Sequence, residues 1–102
     1  TRTVEKPWAN NVYWMNGIVI GDEFGISRDE LMARLREKGV ETRTFFIPMS
    51  QQPIFHDMGI AGEACPVADE LAARGLYLPS GSGLSPEQVE YVSRCVQESG
   101  PA

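Results

Sequence analysis

The chemical feature that stands out in this sequence is a cation in the middle of a predicted strand. Residues 40–47 are rich in β-branched and aromatic residues and predict a strand that ends at Pro48, which has no backbone N–H. Arg43 lies near the centre of this stretch, and the aromatic pair Phe45 and Phe46 follows it. Two uses remain open. Arg43 is either a solvated side chain on a strand that packs a core, or it is presented with the following turn to an anionic ligand.

The other reactive side chains do not form a catalytic or metal-binding constellation. His56 is the single histidine, and it has no matching serine or cysteine partner for a triad. Cys65 and Cys95 show no CxxC spacing, which disfavours a zinc site. Cys95 falls on the apolar side of a predicted helix, so we expect it in the core. The sequence therefore predicts no catalytic residue and no metal site.

A glycine-rich turn, LPSGSGL at residues 78–84, is a candidate phosphate site because it precedes a predicted helix. Backbone amides at such a position bind phosphate in several protein families. This turn has no lysine of the P-loop type. The pattern therefore favours a simple turn followed by a helix cap.

Length and charge restrict the class of protein. A chain of 102 residues is long enough for one domain with a real core. Its net charge of −5 argues against nucleic acid as a partner, because phosphate contacts need clustered lysine and arginine. No apolar run approaches the roughly 20 residues of a membrane span, and the sequence does not begin with a recognisable secretion signal. We expect a cytoplasmic protein with reduced cysteines.

Local patterns predict alternating strands and helices. Ser27 with Glu30, and Ser85 with Gln88, are capping-box patterns that begin two helices. The predicted order is a strand at 11–20, a helix between Ser27 and Gly39, a strand at 40–47, an ambiguous stretch at 51–58, a loop at 59–64, a helix between Pro66 and Gly75, a strand at 76–78 and a helix from Pro86. This order indicates an α+β fold in which helices cover a small sheet, but it leaves the strand directions open. We expect a linker-like segment at 1–10, a single domain at 11–98 and a tail at 99–102.

Several motifs in sequence order give a more specific indication. Four stretches together resemble the C-terminal part of the DegT-type sugar aminotransferases, especially the GDP-perosamine synthase-like enzymes. These stretches are NVYWMNGIVI, DEFGISRDEL, GVETRTFFIPMSQQPIF and CPVADELAARGLYLPSGSGLSPEQVEYV. The resemblance covers residues 8–97. It implies the small C-terminal domain of an aspartate-aminotransferase-fold enzyme, with a small antiparallel sheet covered by helices. It also implies that the intact enzyme uses pyridoxal phosphate to aminate keto groups of nucleotide-linked sugars.

The resemblance suggests a substrate-binding role for one part of the chain. It implies that residues 42–53 border the active-site cleft, with Thr42, Arg43 and Phe45 facing the nucleotide sugar. Many relatives carry histidine two residues after the strand-ending proline, where this chain has Ser50. The Ser50 hydroxyl forms hydrogen bonds but does not titrate near neutral pH, so an acid–base role at this position is in doubt.

The resemblance also implies that the cofactor chemistry lies outside this sequence. In the family, the lysine that binds the cofactor belongs to a large N-terminal domain, and neither Lys6 nor Lys38 lies in similar surroundings. We therefore expect the chain to hold no cofactor and to be inactive alone, as a fragment of an enzyme. The alternative is a free-standing interaction module that has kept the fold and lost the chemistry. Under either hypothesis, we expect a missing large domain or a second copy of the chain to cover an apolar face. The aromatic residues expected to contribute to this face are Trp8, Trp14, Phe45 and Phe55.

Overall fold

Three short strands and four helices make up the part of the chain that the structure, a computed structural model, describes: residues 4–12, 14–60 and 64–100. The strands are β1 (Asn16–Val19), β2 (Arg43–Thr44) and β3 (Gly75–Leu78). The helices are α1 (Arg28–Glu37), α2 (Pro53–Asp57), α3 (Pro66–Arg74) and α4 (Pro86–Ser99). Two 3₁₀ turns, Asp22–Phe24 and Met49–Gln51, precede α1 and α2. None of the described helices is a candidate for crossing a bilayer.

The strands form one antiparallel sheet in the order β1-β3-β2, which confirms the small antiparallel sheet implied by the resemblance. β3 is the central strand. Gly17 of β1 and Arg43 of β2 both pair with Tyr77, one from each side. Because residues directly opposite each other share a face of the sheet, these three lie on the same side.

Two predicted strands are shorter than the sequence pattern indicates. β1 begins at Asn16 rather than at residue 11, and β2 contains only Arg43 and Thr44 of the predicted 40–47. The length of β3 explains this: it has four residues and Pro79 follows it, so the pair Asn16–Leu78 is the last that the ladder contains. The residues before Asn16 therefore have no strand to pair with, and residue 13 lies outside the described residues.

The helix boundaries agree better with the sequence. Ser85 and Gln88 form the complete capping box, with Gln88 N–H donating to Ser85 Oγ at 3.2 Å and Ser85 N–H donating to Gln88 Oε1 at 2.9 Å. At α1, Glu30 N–H donates to Ser27 Oγ at 3.1 Å. The Glu30 carboxylate accepts instead from Arg34 Nη2 at 2.5 Å. The ambiguous stretch at 51–58 contains α2, and the predicted loop at 59–64 lies partly outside the described residues.

The core lies between one face of the sheet and helices α1 and α4. Leu31 and Leu35 of α1, Leu76 of β3 and Cys95 of α4 are buried there, which confirms the core position of Cys95. Val40, predicted in a strand, instead follows α1 into this core, and its N–H donates to Leu35 O at 2.9 Å. Cys65 is exposed and does not form a disulfide with Cys95.

The C-terminal end of α4 is fixed by cations of α1. Arg34 Nη1 donates to Ser99 O at 2.6 Å, and Lys38 Nζ donates to Ser99 Oγ at 3.3 Å. Positive charge is favourable here, because the carbonyl end of a helix carries partial negative charge. Ser99 is the last residue of α4 and is buried. The first residue of the expected tail at 99–102 therefore belongs to the folded domain.

The opposite side of the sheet, which we call the outer face, is formed by Gly17, Val19, Arg43, Phe45, Gly75 and Tyr77. Phe45 N–H donates to Gly75 O at 3.3 Å, which places its ring over the two glycines. A Cβ atom on Gly75 would lie 2.3 Å from Phe45 Cδ2. The Phe45 and Tyr77 rings stack with centroids 4.7 Å apart. Glycine at position 75 is therefore a packing requirement of Phe45.

We expect Gly75→Ala to lower the free energy of unfolding by about 1–3 kcal/mol, because the new methyl group overlaps the Phe45 ring. In a Phe45→Ala background the same substitution should cost much less, since the ring is absent. Urea denaturation of the four proteins measures this coupling. Gly81→Ala is the matched control, because nothing lies within 4 Å of a Cβ atom there. Equal costs of Gly75→Ala in both backgrounds would contradict the packing described.

Candidate functional site

The strand β2 places Arg43 on the outer face, at the edge of the sheet. Arg43 is exposed, and its guanidinium forms no hydrogen bond or ion pair with any described residue. Other arginines differ: Arg28, Arg34 and Arg74 each pair with a carboxylate, at 2.5–3.7 Å. An uncompensated guanidinium is available for a charge-assisted hydrogen bond with an anionic ligand.

An aromatic wall stands beside Arg43. Tyr77 is its direct partner across the ladder, and the Tyr77 ring contacts both Phe45, at a centroid distance of 4.7 Å, and Phe46, at 5.8 Å. Phe45 is half-buried because its ring covers Gly75 and Gly17. Phe45 therefore forms part of the wall rather than projecting from it. The exposed ring is that of Phe46, which is 65% exposed.

Ser50 belongs to a separate turn rather than to the sheet. It lies in the 3₁₀ turn Met49–Gln51, which Gln51 ties to α3 by donating from Nε2 to Asp69 Oδ1 at 2.6 Å. The Oγ atom of Ser50 is buried, and no described atom forms a hydrogen bond with it. A buried hydroxyl without a partner is uncommon and calls for an explanation.

The four residues predicted to bind substrate are thus only partly brought together. Arg43 and Phe45 share the outer face, whereas Thr42 is half-buried just before β2 and Ser50 lies in the turn held by α3. The sequence prediction missed Tyr77, which lies opposite Arg43 and joins the aromatic wall. A signal for it is present, since Tyr77 alternates with Leu76 and Leu78, which face the core side of the central strand, but its pairing with Arg43 depends on a register that the sequence does not show.

The turn and α3 expose a set of large apolar side chains, which we call the apolar band. Its members are all exposed: Phe46, Ile47, Met49, Ile54, Met58, Val67 and Leu71. The sequence predicts an apolar stripe on α3, but no residue of α3 is buried, and Val67 is 71% exposed. A set of exposed large apolar side chains of this kind is typical of a surface that another polypeptide covers. Of the aromatic residues expected to be exposed, Trp8 and Trp14 are so, whereas Phe45 and Phe55 are half-buried.

Neither described lysine lies in surroundings that suit a covalently bound cofactor. Lys6 is exposed near the beginning of the described chain. Lys38 donates to Ser99 Oγ at 3.3 Å, so its amine is engaged at the end of α4 rather than directed into a cleft. A lysine that forms a Schiff base needs a neutral amine and a cradle for the cofactor. Within residues 4–12, 14–60 and 64–100, no group of three His, Cys, Asp or Glu residues is placed to bind a metal ion.

Comparison with known proteins gives a consistent result. The DegT/DnrJ/EryC1/StrS aminotransferase family matches residues 1–97. The GDP-perosamine synthase of Vibrio cholerae is 33% identical over 85 residues, which are 83% of this chain and 23% of that enzyme. The dTDP-4-amino-4,6-dideoxy-D-glucose transaminase of Shigella dysenteriae is 34% identical over 83 residues, which are 79% of this chain and 22% of that enzyme.

Solved structures agree on the fold. Helicobacter pylori PseC, an aminotransferase involved in the biosynthesis of pseudoaminic acid, superposes with a TM-score of 0.75 at 15% identity, over 84% of this chain and 23% of its own. The aminotransferase TlmJ from Streptoalloteichus hindustanus superposes with a TM-score of 0.64 at 26% identity, over 85% of this chain and 22% of its own. The chain therefore spans less than a quarter of the length of the relatives that it matches.

The buried hydroxyl of Ser50 makes a prediction about stability. Ser50→Ala should leave the free energy of unfolding of this chain unchanged within about 0.5 kcal/mol, because no internal hydrogen bond is lost. Ser99→Ala is the matched comparison, since Ser99 Oγ donates to Cys95 O at 2.6 Å and accepts from Lys38 at 3.3 Å. That substitution should cost about 1 kcal/mol. Chemical denaturation of both variants gives the comparison, and an equal cost would mean that Ser50 Oγ has a partner within the chain.

Proposed function

Because this chain belongs to the DegT/DnrJ/EryC1/StrS aminotransferase family, we propose that it is the small C-terminal domain of an enzyme that aminates a keto group of a nucleotide-linked sugar. The observation that supports the proposal is how much of each protein takes part in the match. Between 79% and 86% of this chain matches only 22–23% of the length of relatives that include enzymes named for GDP- and dTDP-linked sugars. A cytoplasmic location is part of the same proposal.

In this proposal, the apolar band is the surface on which the domain meets the rest of the enzyme. The chain's own helices α1 and α4 cover only one face of the sheet, and α3 buries none of its residues. Covering several exposed large side chains gains roughly 1.5–3 kcal/mol for each one fully buried, before the cost of association. A hydrogen bond from Gln51 to Asp69 links the turn to α3.

Arg43 then contributes charge at the border of the active-site cleft. Its guanidinium lacks a partner among the described residues and stands beside the aromatic wall of Tyr77, Phe45 and Phe46. A planar cation next to aromatic rings suits a ligand that combines a phosphate with a ring. Ser50 would contribute to this border only if the turn Met49–Gln51 rearranges, because its Oγ is buried within the chain itself. Thr42 and Phe45 support this edge, with Phe45 acting through the wall rather than through a free ring.

Pyridoxal phosphate, the cofactor on which enzymes of this family generally depend, would supply the amino-transfer chemistry from the other part of the enzyme. Neither Lys6 nor Lys38 fits the role of its covalent ligand, since one is exposed and the other donates to Ser99 Oγ. The chain therefore contributes binding and enclosure, and we expect it to be inactive alone.

A free-standing interaction module is the second candidate. The apolar band favours it as well, because an exposed surface of this size would serve to bind another protein or a second copy. Arg43 distinguishes the two. The enzyme hypothesis gives it a role in nucleotide-sugar binding, whereas the interaction module gives it none.

A chimeric enzyme tests the proposed role of Arg43. Residues 1–97 would replace the matching segment of the Vibrio cholerae GDP-perosamine synthase, and transamination of its nucleotide sugar would be measured. We expect Arg43→Ala in the chimera to raise KM for the nucleotide sugar about tenfold or more, because a hydrogen bond to a charged group contributes about 1.5–3 kcal/mol.

The matched control is Arg36→Ala, which removes another exposed arginine, here on α1. It should leave both kinetic constants unchanged. Identical KM and kcat values for the Arg43→Ala and parent chimeras would remove Arg43 from the site. A chimera that assembles and binds the cofactor but does not act on the nucleotide sugar would contradict the proposed function.

The expected inactivity of the chain alone has its own test. Incubation with pyridoxal phosphate followed by borohydride reduction should give no stoichiometric covalent adduct, since neither described lysine has a suitable environment. Mass spectrometry of the intact chain measures the result, with a full-length relative as the positive control. One cofactor per chain, mapped to a single lysine, would overturn this expectation.

A further inference from the structure

A cavity of about 750 Å³ opens between β1, the turn after β3 and the first turns of α4. Its floor contains Ile18, Leu78 and Val92, which are half-buried and pack against the core. These side chains point away from the outer face, so the cavity is separate from Arg43 and its aromatic wall. Its volume lies within the range of about 300–1,000 Å³ that is usual for small-molecule sites.

None of the described residues that line this cavity is charged, although 23% of the chain is Asp, Glu, Lys or Arg. Its polar side chains include the amides of Asn11 and Asn16 and the hydroxyls of Ser80, Ser82 and Ser93. Amides and hydroxyls both donate and accept hydrogen bonds, which suits a ligand rich in hydroxyl groups. An ionised ligand would find no opposite charge here to replace its hydration.

Part of the anion-binding capacity of a helix N-terminus is already used within α4 itself. The capping box occupies the relevant amides, because Gln88 N–H donates to Ser85 Oγ at 3.2 Å and Val89 N–H donates to Ser85 O at 3.1 Å. The capping box therefore satisfies two of the amides that open α4, which leaves fewer of them to bind a phosphate. This agrees with the sequence-based interpretation of that turn as a turn followed by a helix cap.

An indole ring stands at the rim. Trp14 lines the cavity and is 72% exposed. The face of an indole carries partial negative charge and attracts the partly positive C–H groups of a saturated ring. An apolar floor, neutral hydrogen-bonding groups and an exposed indole are three complementary features of a pyranose site, since a sugar ring presents C–H groups on its faces and hydroxyls at its edge.

We infer that this cavity binds the uncharged pyranose ring of a carbohydrate, with Trp14 against one face of the ring and the serine hydroxyls and Asn16 at its edge. The inference does not use Arg43, the apolar band or the cofactor. It stands or falls independently of the proposed aminotransferase function. Because one ring fills only part of the cavity and most of its binding groups lie at a solvent-exposed rim, the affinity is in the millimolar range.

Saturation-transfer NMR on the full 102-residue chain tests this site with methyl pyranosides of glucose, galactose and mannose as neutral probes. Glucose 6-phosphate is the charged comparison. At least one neutral pyranoside is expected to bind with a millimolar Kd and more tightly than the phosphate. Absence of binding by all three at about 100 mM, or tighter binding of the phosphate, overturns the inference.

Two matched pairs of variants locate the binding. Trp14→Ala should weaken it about tenfold, whereas Trp8→Ala should not, because Trp8 is also exposed but lies outside the cavity. Ser93→Phe, which fills the cavity from α4, should abolish binding, whereas Gln97→Phe on the same helix should not. Circular dichroism checks that each variant is folded. Equal effects within either pair would show that the sugar binds elsewhere and would contradict the site.

Discussion

Every strand pairing that the structure describes uses β3, and β3 has only four residues. Side chains of this short strand contribute to both faces of the sheet. Leu76 points into the core with α1 and α4, and Tyr77 points to the outer face between Gly17 and Arg43. Gly75 lies under the Phe45 ring at a distance that no side chain could occupy. The position of Arg43 therefore depends on the residues of β3, the strand with which both β1 and β2 pair.

The same constraint explains what the sequence could and could not predict. Helix starts are local, because Ser27 and Ser85 bond to amides three residues away, and both were predicted correctly. Strand lengths are not local. Residues 11–15 have the composition of a strand, yet the ladder ends where β3 meets Pro79. Likewise, Arg43 is a candidate because of its own neighbours in the sequence, whereas its ladder partner Tyr77 lies 34 residues further along the chain and becomes apparent only with the register.

Polar side chains of α1 bond to the C-terminal ends of α4 and α3 and so hold these helices on one side of the domain. Arg34 and Lys38 hold Ser99 at the end of α4, and Arg28 donates to the carbonyl groups of Ala72 and Gly75 at the end of α3. On the other side, α3 buries none of its residues, and the apolar band remains exposed. A domain with one side fixed internally and the other apolar and exposed is consistent with a part that spans less than a quarter of its relatives' length.

The central claim is that other polypeptide of the same enzyme covers this apolar side. The most direct test is to mix the chain with a GDP-perosamine synthase from which the matching 23% has been deleted, and to follow both by sedimentation velocity. The account predicts a one-to-one complex that Val67→Asp in the apolar band disrupts, while Gln97→Asp on exposed α4 leaves it intact. Two separate species, in a mixture where both proteins are folded, would contradict it.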